Sequence, residues 1–211
     1  MRIFACGDSL MQHQEPNERG IMGWTQCLPR FLDDGNVSVT LGDDCRAVYK
    51  TKDWEIRNEA RAARSTKTFL SERRFVPVEQ NLAKEDILLL SFGHNDCLET
   101  KTERYTTTDE YTGNLRMMAN LAEEREALVY LITPPAPFAT EGDGFKVRER
   151  ISRYADVMAI LSGEMDVPLI DLYHLGRNLG FHSGWHIADK VHLSEDGAKF
   201  YASVVASFLK G

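Results

Sequence analysis

The chain has 211 residues, 43% of them hydrophobic, and a formal net charge of −7. It is long enough to bury a sizeable core and needs no second domain, so residues 1–211 are expected to form one compact unit. The acidic balance excludes a general nucleic-acid or membrane-surface binder, since both partners are anionic.

In chain order, residues 2–6 form the first apolar, β-branched run, broken by Gly7-Asp8-Ser9. No signal-peptide core follows Met1, and no apolar run approaches the roughly 18 residues that span a bilayer. The expectation is a cytoplasmic protein, or a secreted one if a leader has been removed. Residues 24–32 have helical period, while 36–52 carry Gly42-Asp43-Asp44 and read as an irregular or hairpin excursion. A second strand is expected at 55–58, a helix at 76–83 and a third strand at 86–92. After a charged, Thr-rich surface loop at 100–109 come a helix at 111–125 and a fourth strand at 128–133. A Pro-rich segment from Pro134 to Gly144 leads to a helix at 146–165, a fifth strand at 168–172 and a last helix at 194–209. The third and fourth strands are nearly continuous apolar runs, the pattern of strands covered on both faces. This alternation predicts an α/β fold, a three-layer α/β/α sandwich on a five-stranded parallel sheet. In such sheets ligands bind beyond the carboxyl ends of the strands. Cys6, Cys27, Cys45 and Cys97 contain no close pair, so they read as ordinary reduced thiols.

A serine hydroxyl is a weak nucleophile and needs a base oriented by a carboxylate. Ser9 at the end of the first strand, with His192 and Asp189 from Asp189-Lys-Val-His192 before the last helix, fill these three roles. Asp8 either tunes the serine or, as Asp prefers, bonds nearby backbone N–H groups and fixes the turn. A rival reading converges His182, His186, Asp189 and His192 on zinc. Gly184 interrupts any regular helical face there, and a metal would consume the base that Ser9 needs; no metal is assigned. Trp185 and His186 either wall a substrate pocket or pack inward, and His94 faces either the cleft or the sheet edge. Arg57, Arg61, Arg64, Lys67, Arg73 and Arg74 concentrate positive charge, as a solvated face or as a seat for an anionic ligand.

Two further blocks follow expected strands: Asn58-Glu-Ala-Arg-Ala-Ala63-Arg64-Ser65-Thr66, and Ser91-Phe-Gly93-His-Asn95-Asp96. With Gly7-Asp8-Ser9 and Asp189-Lys-Val-His192 they make four ordered blocks that resemble the SGNH, or GDSL-type, hydrolase family. The resemblance implies a flavodoxin-like fold and three donors to a developing oxyanion: the backbone N–H of Ser9, a backbone N–H in the second block, and the side-chain amide of Asn95. Gly23-Trp24, Ser71-Glu-Arg-Arg-Phe75, Phe92-Gly-His-Asn-Asp96 and the segment from Asp189 to Gly197 are similar to the rhamnogalacturonan acetylesterase branch, over nearly the whole chain. One departure is Ala62-Ala63-Arg64-Ser65, where the family usually has glycine at the second donor; this assigns the N–H to Ala63, which resists the positive φ that glycine accepts.

The implied function is a serine esterase that removes acetyl groups from a pectin-type oligosaccharide through an acyl-enzyme on Ser9, with no cofactor. Pectic uronates suit arginine, and Arg64 lies nearest the oxyanion position. The implied substrate-pocket residues are then Arg64, His94, Trp185 and His186. The expected partner is an acetylated oligosaccharide or other small ester, not nucleic acid or membrane; oligomeric state is left open. Rivals are a general short-chain esterase, lysophospholipase or thioesterase, which would want a greasy acyl channel, and a non-catalytic binding module. Intact Ser9, Asn95, Asp189 and His192 argue against the module.

Overall fold

A computed structural model describes residues 1–138, 142–179 and 183–211, with 142–146 and 183 described by backbone alone. Seven strands form one sheet: β1 (Arg2–Gly7), β2 (Ser38–Leu41), β3 (Ala47–Lys50), β4 (Glu55–Asn58), β5 (Ile87–Ser91), β6 (Leu128–Ile132) and β7 (Leu169–Ile170), in the order β2-β3-β4-β1-β5-β6-β7. The expectation of five strands is thereby corrected to seven. The five anticipated runs are the parallel part, β4-β1-β5-β6-β7. The two additional strands, β2 and β3, are antiparallel and extend the β4 edge. They come from the segment read as irregular or hairpin. All four residues of β2 are exposed, so nothing forces on it the apolar pattern that marks a buried strand.

Side chains alternate across β1 and sort the core into two layers. Phe4 and Cys6 join Leu88 and Leu90 of β5 on the face covered by α2 (Thr66–Ser71), α3 (Val76–Asn81), α4 (Thr108–Glu124) and α5 (Gly142–Met165). Ile3 and Ala5 join Ile87 and Leu89 on the opposite face, under the 3-10 turn Trp24–Gln26, α1 (Pro29–Leu32) and α7 (Glu195–Leu209). Each such Leu or Ile, fully withdrawn from water, contributes about 1.5–3 kcal/mol of transfer free energy. The helix expected at 24–32 is split, because Pro29 lacks the N–H that would continue it and instead opens α1 as a first-turn residue. Helix α4 starts three residues before the expected 111, at a reciprocal cap: Thr107 Oγ1 accepts the Glu110 N–H, and Glu110 Oε2 accepts the Thr107 N–H. Helices α2 and α6 (Leu172–Asn178), of six and seven residues, were not anticipated. Among the described residues no helix is long and apolar enough to cross a membrane.

The strand order reverses at β1. The chain leaves β1 for β4 on one side and later returns to β5 on the other, so the loops following β1, β4 and β5 meet around one crevice.

Candidate active site

Strand β1 ends at Gly7, where a Cβ would stand 2.5 Å from the Ser91 carbonyl oxygen; only glycine lets the two strands approach there. The turn that follows is fixed by Asp8. Its carbonyl accepts the N–H groups of Met11 and Gln12 at 3.2 and 3.0 Å, and its Oδ1 accepts the Leu10 N–H at 3.0 Å. Asp8 therefore plays the turn-fixing part of its two readings. Burial pushes its carboxyl up to about 6, against the Leu10 N–H and the nearby His192.

Ser9 lies at the head of this turn. Its Oγ is 3.0 Å from His192 Nε2, and His192 Nδ1 is 2.8 Å from Asp189 Oδ2. Asp189 Oδ1 accepts the backbone N–H groups of Val191 and His192 at 3.0 and 2.9 Å, so one short turn presents base and carboxylate together. Partial burial raises the Asp189 carboxyl, but these N–H groups and the His192 ring outweigh it and hold the group below its ordinary value. Arg19, which the sequence did not single out, donates from Nη2 to Asp189 Oδ2 at 2.6 Å.

After β4, Arg61 N–H bonds the Gly7 carbonyl at 3.1 Å and Ala62 N–H bonds Gln12 Oε1 at 2.6 Å, which brings this loop beside the Ser9 turn. Ala63 adopts the left-handed conformation, φ 63°, that its side chain resists. Among the described residues, neither the Ser9 nor the Ala63 N–H has a hydrogen-bond acceptor. Ala63→Gly is expected to raise the unfolding free energy by about 0.5–1 kcal/mol by relieving that strain. Turnover should stay level or rise slightly, as urea unfolding and acetate release would measure.

After β5, Gly93 takes φ 139° and Asn95 enters the crevice. Asn95 Nδ2 donates to the Arg64 carbonyl at 3.0 Å and has Asp8 Oδ2 at 3.5 Å, the long limit of a hydrogen bond. Its Oδ1 accepts Arg104 Nη1 at 3.2 Å, which fixes the amide with its nitrogen toward Asp8 and the Arg64 carbonyl. Asp96 is buried, and its Oδ1 accepts Thr66 N–H, Thr66 Oγ1 and Thr106 Oγ1 at 2.9, 2.6 and 3.0 Å. Burial raises this carboxyl to about 7 against those bonds.

The expected pocket residues fare differently. The Arg64 guanidinium is held by Glu72, with Nε at 2.8 Å and Nη2 at 2.6 Å, and Nη1 bonds the Ala62 carbonyl at 3.1 Å. Arg64, expected to reach a substrate carboxylate, is engaged within the protein in this structure, where it braces the loop carrying Ala63. The rest of the basic run is mostly neutralised by Glu55, which pairs with Arg57, and by Asp44, which pairs with Arg61 and Arg74. Trp185, half-buried, lies on Phe200 of α7 with ring centroids 3.9 Å apart. His94 and His186 are buried; Asp8 Oδ2 is 3.7 Å from His94 Nδ1, and Phe138 stacks on His186. Burial drives His94 down to about 3 and His186 to about 4, and both imidazoles stay neutral through the physiological range.

Between pH 4 and 6.5 the unfolded chain therefore binds more protons at His186 than the native one, so His186 by itself makes stability rise with pH there, while the raised carboxyls of Asp8 and Asp96 act in the opposite sense. His186→Phe should remove that contribution and so lower the slope of unfolding free energy against pH there by up to about 1.4 kcal/mol per pH unit, read from urea unfolding of wild type and variant at several pH values. Among the described residues no three His, Cys, Asp or Glu side chains converge as metal ligands; His182, part of the zinc alternative, lies outside them.

A three-layer α/β domain with a hydroxyl, an imidazole and a carboxylate in line at the topological switch of its sheet has the build of an ester hydrolase. The chain belongs to the GDSL-like lipase/acylhydrolase family, whose sequence profile matches residues 5–200, and is a carboxylic ester hydrolase. Two Bacillus subtilis (strain 168) proteins are similar over nearly its whole length. The rhamnogalacturonan acetylesterase RhgT is 26% identical over 98% of this chain and 88% of its own, and the probable rhamnogalacturonan acetylesterase YesY is 31% identical over 99% and 92%. The crystal structure of protein YxiM from Bacillus subtilis shares the fold at a TM-score of 0.74 and 21% identity, covering 99% of this chain, which spans only 55% of YxiM.

Proposed function

We propose that this protein, acting as a single domain over residues 1–211, removes acetyl groups from a pectin-type, rhamnogalacturonan oligosaccharide through an acyl-enzyme on Ser9. The observation that carries the chemistry is the Ser9–His192–Asp189 line, 3.0 and 2.8 Å per step, beside N–H groups with no acceptor of their own. The sugar class rests on the two full-length relatives named as rhamnogalacturonan acetylesterases.

In this mechanism His192 Nε2 takes the Ser9 proton as Oγ attacks the acetyl carbonyl carbon. The N–H groups of Ser9 and Ala63 and the Asn95 amide receive the oxyanion, stabilising charge that exists only after attack. Collapse breaks the ester bond, and the leaving sugar hydroxyl takes its proton from His192. Water, deprotonated by the same ring, then attacks the acetyl-serine and releases acetate. Asp189 accepts the Nδ1 proton's hydrogen bond throughout and so keeps Nε2 facing the serine.

Acetate release from acetylated rhamnogalacturonan fragments, acetylated xylan fragments and long-chain acyl esters tests the reading. The expected order has the first fastest. Faster release from xylan would keep a carbohydrate acetylesterase and remove pectin, while a preference for long acyl chains would replace both with a lipase or thioesterase.

A further inference from the structure

A cleft of about 470 Å³ lies between the loop leaving Ser9 and the tip of the β2–β3 hairpin, where residues 12–17 face Leu41, Gly42, Cys45 and Arg46. Its volume suits a stretch of ligand with several rings rather than one acetyl group. Both walls are anchored. His13 Nδ1 is 2.8 Å from the Tyr49 hydroxyl of β3, which pins the loop to the hairpin, and Asn17 Nδ2 donates to the carbonyls of Glu15 and Ile21 at 2.9 and 3.1 Å. One lining residue, Gln12, ties the cleft to the candidate active site: three residues after Ser9, it accepts the Ala62 N–H one residue before Ala63.

Resting on the carbohydrate reading above, we infer that this cleft is a glycan subsite, in which the sugar chain runs from the acetylated residue past Gln12 toward the hairpin and Arg46 receives a uronate carboxylate. The lining suits a pyranose chain: the side-chain amide of Gln14 and the amide nitrogen of Gln12 for ring hydroxyls, and Leu41, about half exposed, for a C–H face. Arg46 is the lining's arginine. Its Nε is held by buried Glu59, which orients the fork, and among the described residues its two terminal nitrogens have no partner, leaving them for a paired bond to a carboxylate. The one carboxylate in this lining, Glu15, is largely exposed and lies 3.6 Å from His13 Nε2. The hairpin that supplies one wall is thus a specificity element, and Arg46 is the cation it offers to the ligand.

The test compares kcat/KM on acetylated galacturonate-containing oligosaccharides of increasing length with kcat/KM on a small neutral acetate ester, in wild type, Arg46→Ala and Leu41→Trp. In wild type the ratio of the two should climb with chain length. Arg46→Ala should lower that ratio roughly 10- to 100-fold on the longer oligosaccharides, the cost of one charged hydrogen bond, chiefly through KM. Leu41→Trp, which fills the cleft from an exposed position and leaves the Arg46–Glu59 pair in place, should flatten the length dependence, and it decides the matter if Arg46→Ala folds poorly. A ratio that climbs in wild type and is unchanged in both variants overturns the subsite while leaving the substrate class standing. Wild type that releases no acetate from these oligosaccharides yet cleaves the small ester overturns the substrate class and the subsite with it.

Discussion

Ser9→Ala is expected to lower kcat by on the order of 10⁴-fold or more, with the fold intact. The methyl side chain fits where the hydroxyl stood, since the turn around residue 9 is held by Asp8 and not by the serine side chain. Removing Oγ removes the bond-forming atom, and the remaining donors can then only polarise the ester for attack by water. A burst of alcohol release in wild type and its loss in the variant would report the acyl-enzyme directly. A folded Ser9→Ala protein keeping a third of wild-type turnover would sink the covalent mechanism.

Asn95→Ala should cost roughly 10²- to 10³-fold in kcat with little change in KM, the magnitude of one donor lost from an oxyanion site. Arg104 takes the amide oxygen of Asn95 and the Arg64 carbonyl takes one N–H, so the other N–H, meeting only Asp8 at 3.5 Å, is the one an oxyanion can capture. An effect confined to KM would instead assign Asn95 to binding the ground-state ester. Urea unfolding of the variant separates either outcome from a loosened loop, because Asn95 also ties the Ala63 segment to the β5 end.

The parallel sheet was legible because burial on both faces writes long apolar runs into β5 and β6, and the serine, histidine and aspartate because two of them share one turn and the third follows a strand. What stayed hidden has no local period. Arg19 meets Asp189 across 170 residues and Gln12 meets Ala62 across 50, and neither arginine nor glutamine in a polar loop announces its partner. The pairing of the basic run stayed hidden for the same reason: its charge is visible in the sequence, but carboxylates that meet it are partly supplied by Asp44 from the hairpin. Alanine at position 63 was legible as a departure, and its positive φ follows from the backbone path of the loop and not from the residue.

Asp96 carries a consequence for how the site responds to its substrate. A single oxygen of this buried carboxyl gathers Thr66, at the start of α2, and Thr106, just before α4, while the neighbouring residue, Asn95, holds the Arg64 carbonyl. Segments from separate strand ends are thereby locked into one rigid piece before any ester arrives. Dipoles fixed in this way need no turning when charge appears on the carbonyl oxygen, so the reorganisation energy that water would demand at that instant has already been met during folding.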